Sequence, residues 1–169
     1  NNILDKAKNY FENAIKINQR YIDSYNNLGV CLLELEKLNE AYKVFVDGYN
    51  IDTKNIKTLI NLGNVLSLKD NILEAIEIYN KAFNLDPNNQ EILSNIAICY
   101  CRGSKLEEAK IYYDKAIKIN PHDYKLQYAY CTLQLKLNKF SSSWNLFDSR
   151  LLIEKNKINL RNFDLVKNK

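Results

Sequence analysis

Hydrophobic positions recur along this chain on two scales. Over short stretches they fall three and four residues apart: Tyr25, Leu28, Leu32 and Leu35, then Ala41, Val44, Phe45, Gly48 and Ile51. That spacing places each set on one face of a helix and predicts helices over about 22–35 and 39–51. Over longer stretches the whole pattern returns every 34 residues. Leu28-Gly29 becomes Leu62-Gly63 and then Ile96-Ala97. Ala41, Ala75 and Ala109 follow the same step, as do Phe45, Tyr79 and Tyr113, and Gly48, Ala82 and Ala116. A fixed period of this length means stacked copies of one helix pair rather than one globular core.

The small residues explain how the pair closes. Gly29, Gly63 and Ala97 let two helices approach, since larger side chains would push the axes beyond their usual ~8–10 Å. Ala41, Ala75 and Ala109 do the same on the second helix, and Phe45, Tyr79 and Tyr113 fill the adjoining space. Asp86-Pro87 and Asn120-Pro121 end helices, because proline disfavours helical geometry in the residue before it. No hydrophobic run is long enough to span a membrane.

These residues resemble the tetratricopeptide repeat family. Leu62-Gly63, Leu66, Ala75, Tyr79, Ala82 and Pro87 carry the resemblance, matched by Ile96-Ala97, Tyr100, Ala109, Tyr113, Ala116 and Pro121. Tyr25, Leu59 and Leu93 stand where the family has a tryptophan. The resemblance implies an all-α, right-handed superhelical solenoid of antiparallel helix pairs. Its expected units are a cut first repeat over 1–20, repeats over 22–55, 56–89 and 90–123, a degenerate repeat over 124–157, and a capping helix or linker over 158–169. Ala7, Phe11 and Ala14 precede Ala41, Phe45 and Gly48 by one period, so the chain opens on the second helix of a repeat. The sequence contains no methionine, which also predicts a piece of a longer protein.

Composition narrows the chemistry. A net charge of +4 spread over mixed signs lacks the dense basic stripe of a nucleic-acid protein. Cys31, Cys99, Cys101 and Cys131 have no metal-ligand spacing, and Cys99 and Cys101 point to different helix faces. They read as reduced cysteines of an intracellular, cytoplasmic helical stack, and no signal peptide is visible. His122 is the single histidine and sits in a turn with no cysteine or serine constellation around it. Four glycines cannot build a phosphate loop. No cofactor, metal or catalytic site is expected.

The first helix of each pair is expected to line a concave groove. Two residues before each small position stand Asn27, Asn61 and Asn95. A side-chain amide offers one acceptor and two donors, which suits a peptide backbone. Rungs about 10 Å apart would match about three residues of extended chain at ~3.3 Å each. This column resembles the superhelical repeats of O-GlcNAc transferase, in which an asparagine ladder holds the backbone of protein substrates. Ala129 ends it here. The alternative is compositional: with 25 asparagines in the chain, the column also fits plain solvation of the concave face. Val30, Ile60, Ile98 and Tyr128 are expected to add apolar groove contacts, and Asn64 to face solvent. A two-carboxylate clamp of the chaperone-binding type would match at Asn64, Asn95 and Lys125, but Ile60 and Ala129 replace its needed cations, so charge-assisted bonding to a carboxylate is lost.

Towards the C-terminus, Trp144, Phe147 and Arg150 fall at steps of three. They are similar to the closing repeat of bacterial proteins in which such repeats precede a glycosyltransferase-like domain, and read more simply as a bulky cap that seals the end of the stack. The expected function is binding of a protein or peptide in the groove, with no nucleic-acid or membrane partner. The alternatives are substrate-docking repeats of a larger glycosyltransferase, and self-assembly into homo-oligomers through exposed solenoid ends.

Overall fold

The computed structural model describes residues 2–138. Trp144, Phe147, Arg150 and the 158–169 segment lie outside the described residues. Eight helices follow one another among the described residues: α1 (Asn2–Ile17), α2 (Ile22–Glu34), α3 (Leu38–Ile51), α4 (Ile56–Leu68), α5 (Ile72–Leu85), α6 (Gln90–Arg102), α7 (Leu106–Ile119) and α8 (Tyr124–Lys136). No strand occurs among the described residues. Short links make consecutive helices antiparallel. Each helix packs on its chain neighbours, while α2 also touches α4 and α4 touches α6. That nearest-neighbour pattern is a solenoid.

The core repeats with the sequence. Phe45, Tyr79 and Tyr113 lie buried beneath Gly29, Gly63 and Ala97. A Cβ on Gly29 would overlap the Phe45 ring, and one on Gly63 would stand 2.5 Å from Tyr79 Cε1. Close packing on these rings, not backbone conformation, therefore favours glycine at these two positions. Ala41, Ala75, Ala82, Ala109 and Ala116 are wholly buried.

The turns also repeat. Glu36, Asp70, Ser104 and Asn138 have φ of 60, 65, 59 and 57°, the left-handed region that L-residues resist. Each follows the end of a first helix. Glu36 N–H donates to Leu33 O at 2.9 Å and Lys37 N–H to Leu32 O at 2.8 Å; Asp70–Ser67 and Asn71–Leu66 repeat this at 3.1 and 3.0 Å. This is the Schellman closure, built without glycine. At the other end of the first helices, Asn55, Asn89 and Asp123 cap α4, α6 and α8 by accepting from backbone N–H groups. Tyr21, one period earlier, supplies no side-chain cap to α2.

Candidate peptide-binding groove

The concave face is made by α2, α4, α6 and α8. It carries Asn27, Asn61 and Asn95 as half-buried residues one period apart. Asn61 Nδ2 donates to Asn26 Oδ1 on α2 at 3.3 Å. Asn95 Nδ2 donates to Asn64 Oδ1 on α4 at 3.1 Å. Two of the three amides are thus tied to the preceding first helix. Each keeps a second N–H and its carbonyl, and neither carbonyl is bonded among the described residues.

Asn64 differs from expectation. It is half-buried rather than solvent-facing, and its Oδ1 accepts from the Tyr79 hydroxyl at 2.5 Å as well as from Asn95. Tyr79 is 1% exposed, and burial pushes its phenol far above the ordinary range, so it remains a donor. The core ring therefore reaches through to the groove face and needs an acceptor there. One period earlier Phe45 has no hydroxyl, and the matching groove residue is Val30.

Ile60 also differs. It is 7% exposed and belongs to the core cluster, because α4 is flanked closely by its neighbouring first helices. Val30, Ile98 and Tyr128 do stand open, at 42, 41 and 50% exposure. Lys125 is exposed on α8.

Between α6 and α8 the face deepens into a cavity of about 590 Å³, lined in part by Gln90, Ser94, Ile98, Tyr113, Lys125 and Ala129. A second chamber of about 290 Å³ continues beside Cys101, Arg102, Tyr128 and Lys136. This cleft is not visible in any single repeating column. Its signal lay in a pair of columns: Tyr113 keeps the hydroxyl of Tyr79, while Ile98 replaces Asn64.

The remaining candidates take structural places. Cys31, Cys99 and Cys131 are buried, Cys101 is half-buried, and none of the four forms a disulfide. Burial pushes the Cys99 and Cys101 thiols up. His122 is exposed in the α7–α8 turn, where its backbone N–H donates to Asn120 Oδ1 at 3.2 Å. Among the described residues no histidine, cysteine and carboxylate group gathers as a metal site, and no helix is long and apolar enough to cross a membrane.

Tetratricopeptide repeat family profiles match residues 10–43, 56–89 and 90–123. No curated protein matches the sequence. Solved structures share the fold. A crystal structure of MamA superposes with a TM-score of 0.79 at 18% identity, covering 91% of this chain and 90% of that one. PilF of Pseudomonas aeruginosa gives 0.81 at 19% identity, covering 89% and 69%. TTC0263, a thermophilic TPR protein of Thermus thermophilus, gives 0.72 at 22% identity, covering 79% and 74%. The chain belongs to the tetratricopeptide repeat family, as a protein-interaction module built from an all-α repeat stack.

Proposed function

We propose that the module binds an extended segment of a partner protein along its concave groove, with Asn27, Asn61 and Asn95 meeting the backbone of that segment. The observation that carries this reading is the tethering of Asn61 and Asn95. Each spends one N–H on the preceding first helix, which fixes the amide plane while leaving a donor and an acceptor for a ligand. A preoriented group loses less freedom on binding. Val30, Ile98 and Tyr128 supply apolar contacts beside the rungs, and Lys125 a cation.

The test is the triple substitution Asn27→Ala, Asn61→Ala, Asn95→Ala, titrated with a peptide selected on the unaltered protein from a displayed random library. Asn61 and Asn95 also link helices, so circular dichroism and thermal melts accompany the titration. Affinity should fall at least about tenfold, the equivalent of one or two net hydrogen bonds, with helicity retained. Unchanged affinity would reduce the column to solvation of the concave surface.

A further inference from the structure

The first helices spread apart towards α8. In one repeating column Asn26 is 0% exposed and Ile60 7%, Ser94 is half-buried, and Tyr128 is 50% exposed. The space so opened is the larger chamber between α6 and α8. Tyr113 borders both this chamber and its smaller continuation, though the residue as a whole is 3% exposed. In the preceding repeat the matching hydroxyl of Tyr79 is met by Asn64. One period on, Ile98 stands in place of Asn64, and the Tyr113 hydroxyl finds no partner among the described residues. A hydroxyl that opens on a cavity from an otherwise buried residue, with no protein partner, is placed to meet a ligand.

The chamber has an apolar wall of Ile98, Leu126 and Ala129. Its lining carries three carboxylates, Asp86, Glu91 and Asp123, against one ammonium, Lys125. Asp123 is committed: it caps α8 and accepts from Gln90 Nε2 at 2.5 Å. Asp86 Oδ2 accepts from Asn89 Nδ2 at 3.0 Å. Glu91 is exposed, and its carboxylate has no ion pair among the described residues.

We propose that this chamber is a side-chain pocket for a lysine or arginine of the bound peptide. The inference rests on the groove reading above and adds a sequence preference to it. The aliphatic stem lies across Ile98 and Ala129, as the methylenes of long basic side chains do on apolar surface. The tip meets Glu91 and Asp86, and the Tyr113 oxygen accepts one of its N–H groups. Burial pushes the Tyr113 phenol up, so it stays neutral and keeps its lone pairs for that role.

The experiment selects random hexapeptides, acetylated and amidated, on the whole chain, then titrates the chosen peptide by fluorescence polarisation. Lysine or arginine should be enriched at one position. Glu91→Gln should weaken binding about two- to fivefold, as for a partly exposed ion pair, and Tyr113→Phe about two- to tenfold. Both effects should vanish when norleucine replaces the basic residue of the peptide. Ile98→Asn, which hands Tyr113 the partner that Tyr79 has, should also weaken binding while raising thermal stability. Enrichment of acidic or apolar residues, or indifference to both Glu91→Gln and Tyr113→Phe, would overturn the pocket. If such a peptide still depends on Asn27, Asn61 and Asn95, the groove reading survives that result. Selection of no peptide, or indifference to every substitution, defeats both.

Discussion

The bond between Tyr79 and Asn64 joins the core to the groove, and a double-mutant cycle measures it. Asn64→Val removes the acceptor that lies 2.5 Å from the Tyr79 hydroxyl and 3.1 Å from Asn95 Nδ2. Asn95 is half-buried and can turn its amide to solvent. Tyr79, at 1% exposed, cannot, so its hydroxyl loses both water and protein. An orphaned buried polar group costs about 1–3 kcal/mol. Tyr79→Phe deletes the donor instead and leaves Asn64 its bond from Asn95. It should cost only about 0.5–1.5 kcal/mol.

The double variant, Asn64→Val with Tyr79→Phe, recreates the Val30–Phe45 pair that the preceding repeat uses naturally. Nothing polar is then stranded. Its cost should undercut the sum of the two singles by about 1 kcal/mol or more, the coupling expected of residues in direct contact. Thermal melts followed by circular dichroism should show this, since about 1 kcal/mol shifts the midpoint ~2–4 °C for a chain of this size. Solenoids do not always melt in one step, so amide exchange within α4 and α5 gives the local reading. Additive single costs, or a neutral Asn64→Val, would refute the reasoning.

Three further outcomes follow from the packing and the turns. Gly63→Leu should destabilise by about 1–3 kcal/mol or more, because even a methyl there stands 2.5 Å from Tyr79 Cε1; a melt that matches the parent protein would contradict this. Glu36→Gly and Ser104→Gly should each stabilise by about 1 kcal/mol by relieving a left-handed backbone, as measured by urea midpoint. Asp70→Gly should gain less, since it also loses the 3.0 Å ion pair with Arg102. Asn89→Ala and Asp123→Ala should each cost about 0.5–2 kcal/mol as lost helix caps, while Tyr21→Asn should gain a part of that; equal effects on the three melts would undo the capping assignment.

The helix pairs were legible in the sequence because the 34-residue step acts on single columns. Small residues at 29, 63 and 97 and large ones at 45, 79 and 113 each speak alone. What escaped was coupling between columns. Val30, Asn64 and Ile98 look like an unpatterned surface position until each is paired with Phe45, Tyr79 and Tyr113. The left-handed column of Glu36, Asp70, Ser104 and Asn138 was hidden for another reason. It holds no glycine, the residue whose presence normally marks such a turn. Gly103 sits one place early, at φ −78°, where any residue would serve. The burial of Ile60 is not legible because exposure within one column changes along the stack, and periodicity carries no information about how far neighbouring helices spread.

The spread bears directly on affinity. Three asparagine rungs give at most about six backbone bonds if each supplies one donor and one acceptor, and two rungs already give one N–H to a neighbouring helix. At ~0.5–1.5 kcal/mol each, the set offers about 3–9 kcal/mol before the peptide is ordered, whereas micromolar binding needs about 8. A ladder alone therefore gives a weak, sequence-indifferent grip. Where α2 and α4 touch, Asn26 and Ile60 close the floor and leave little for a side chain to enter. Where α8 stands away from α6, a cavity lined by apolar side chains, by carboxylates and by a tyrosine hydroxyl with no partner among the described residues lies beside the same groove. On the proposals made above, the two regions would divide the work: the rungs would hold the backbone at any sequence, and the cleft beside Tyr113 would supply both the missing affinity and the choice of partner.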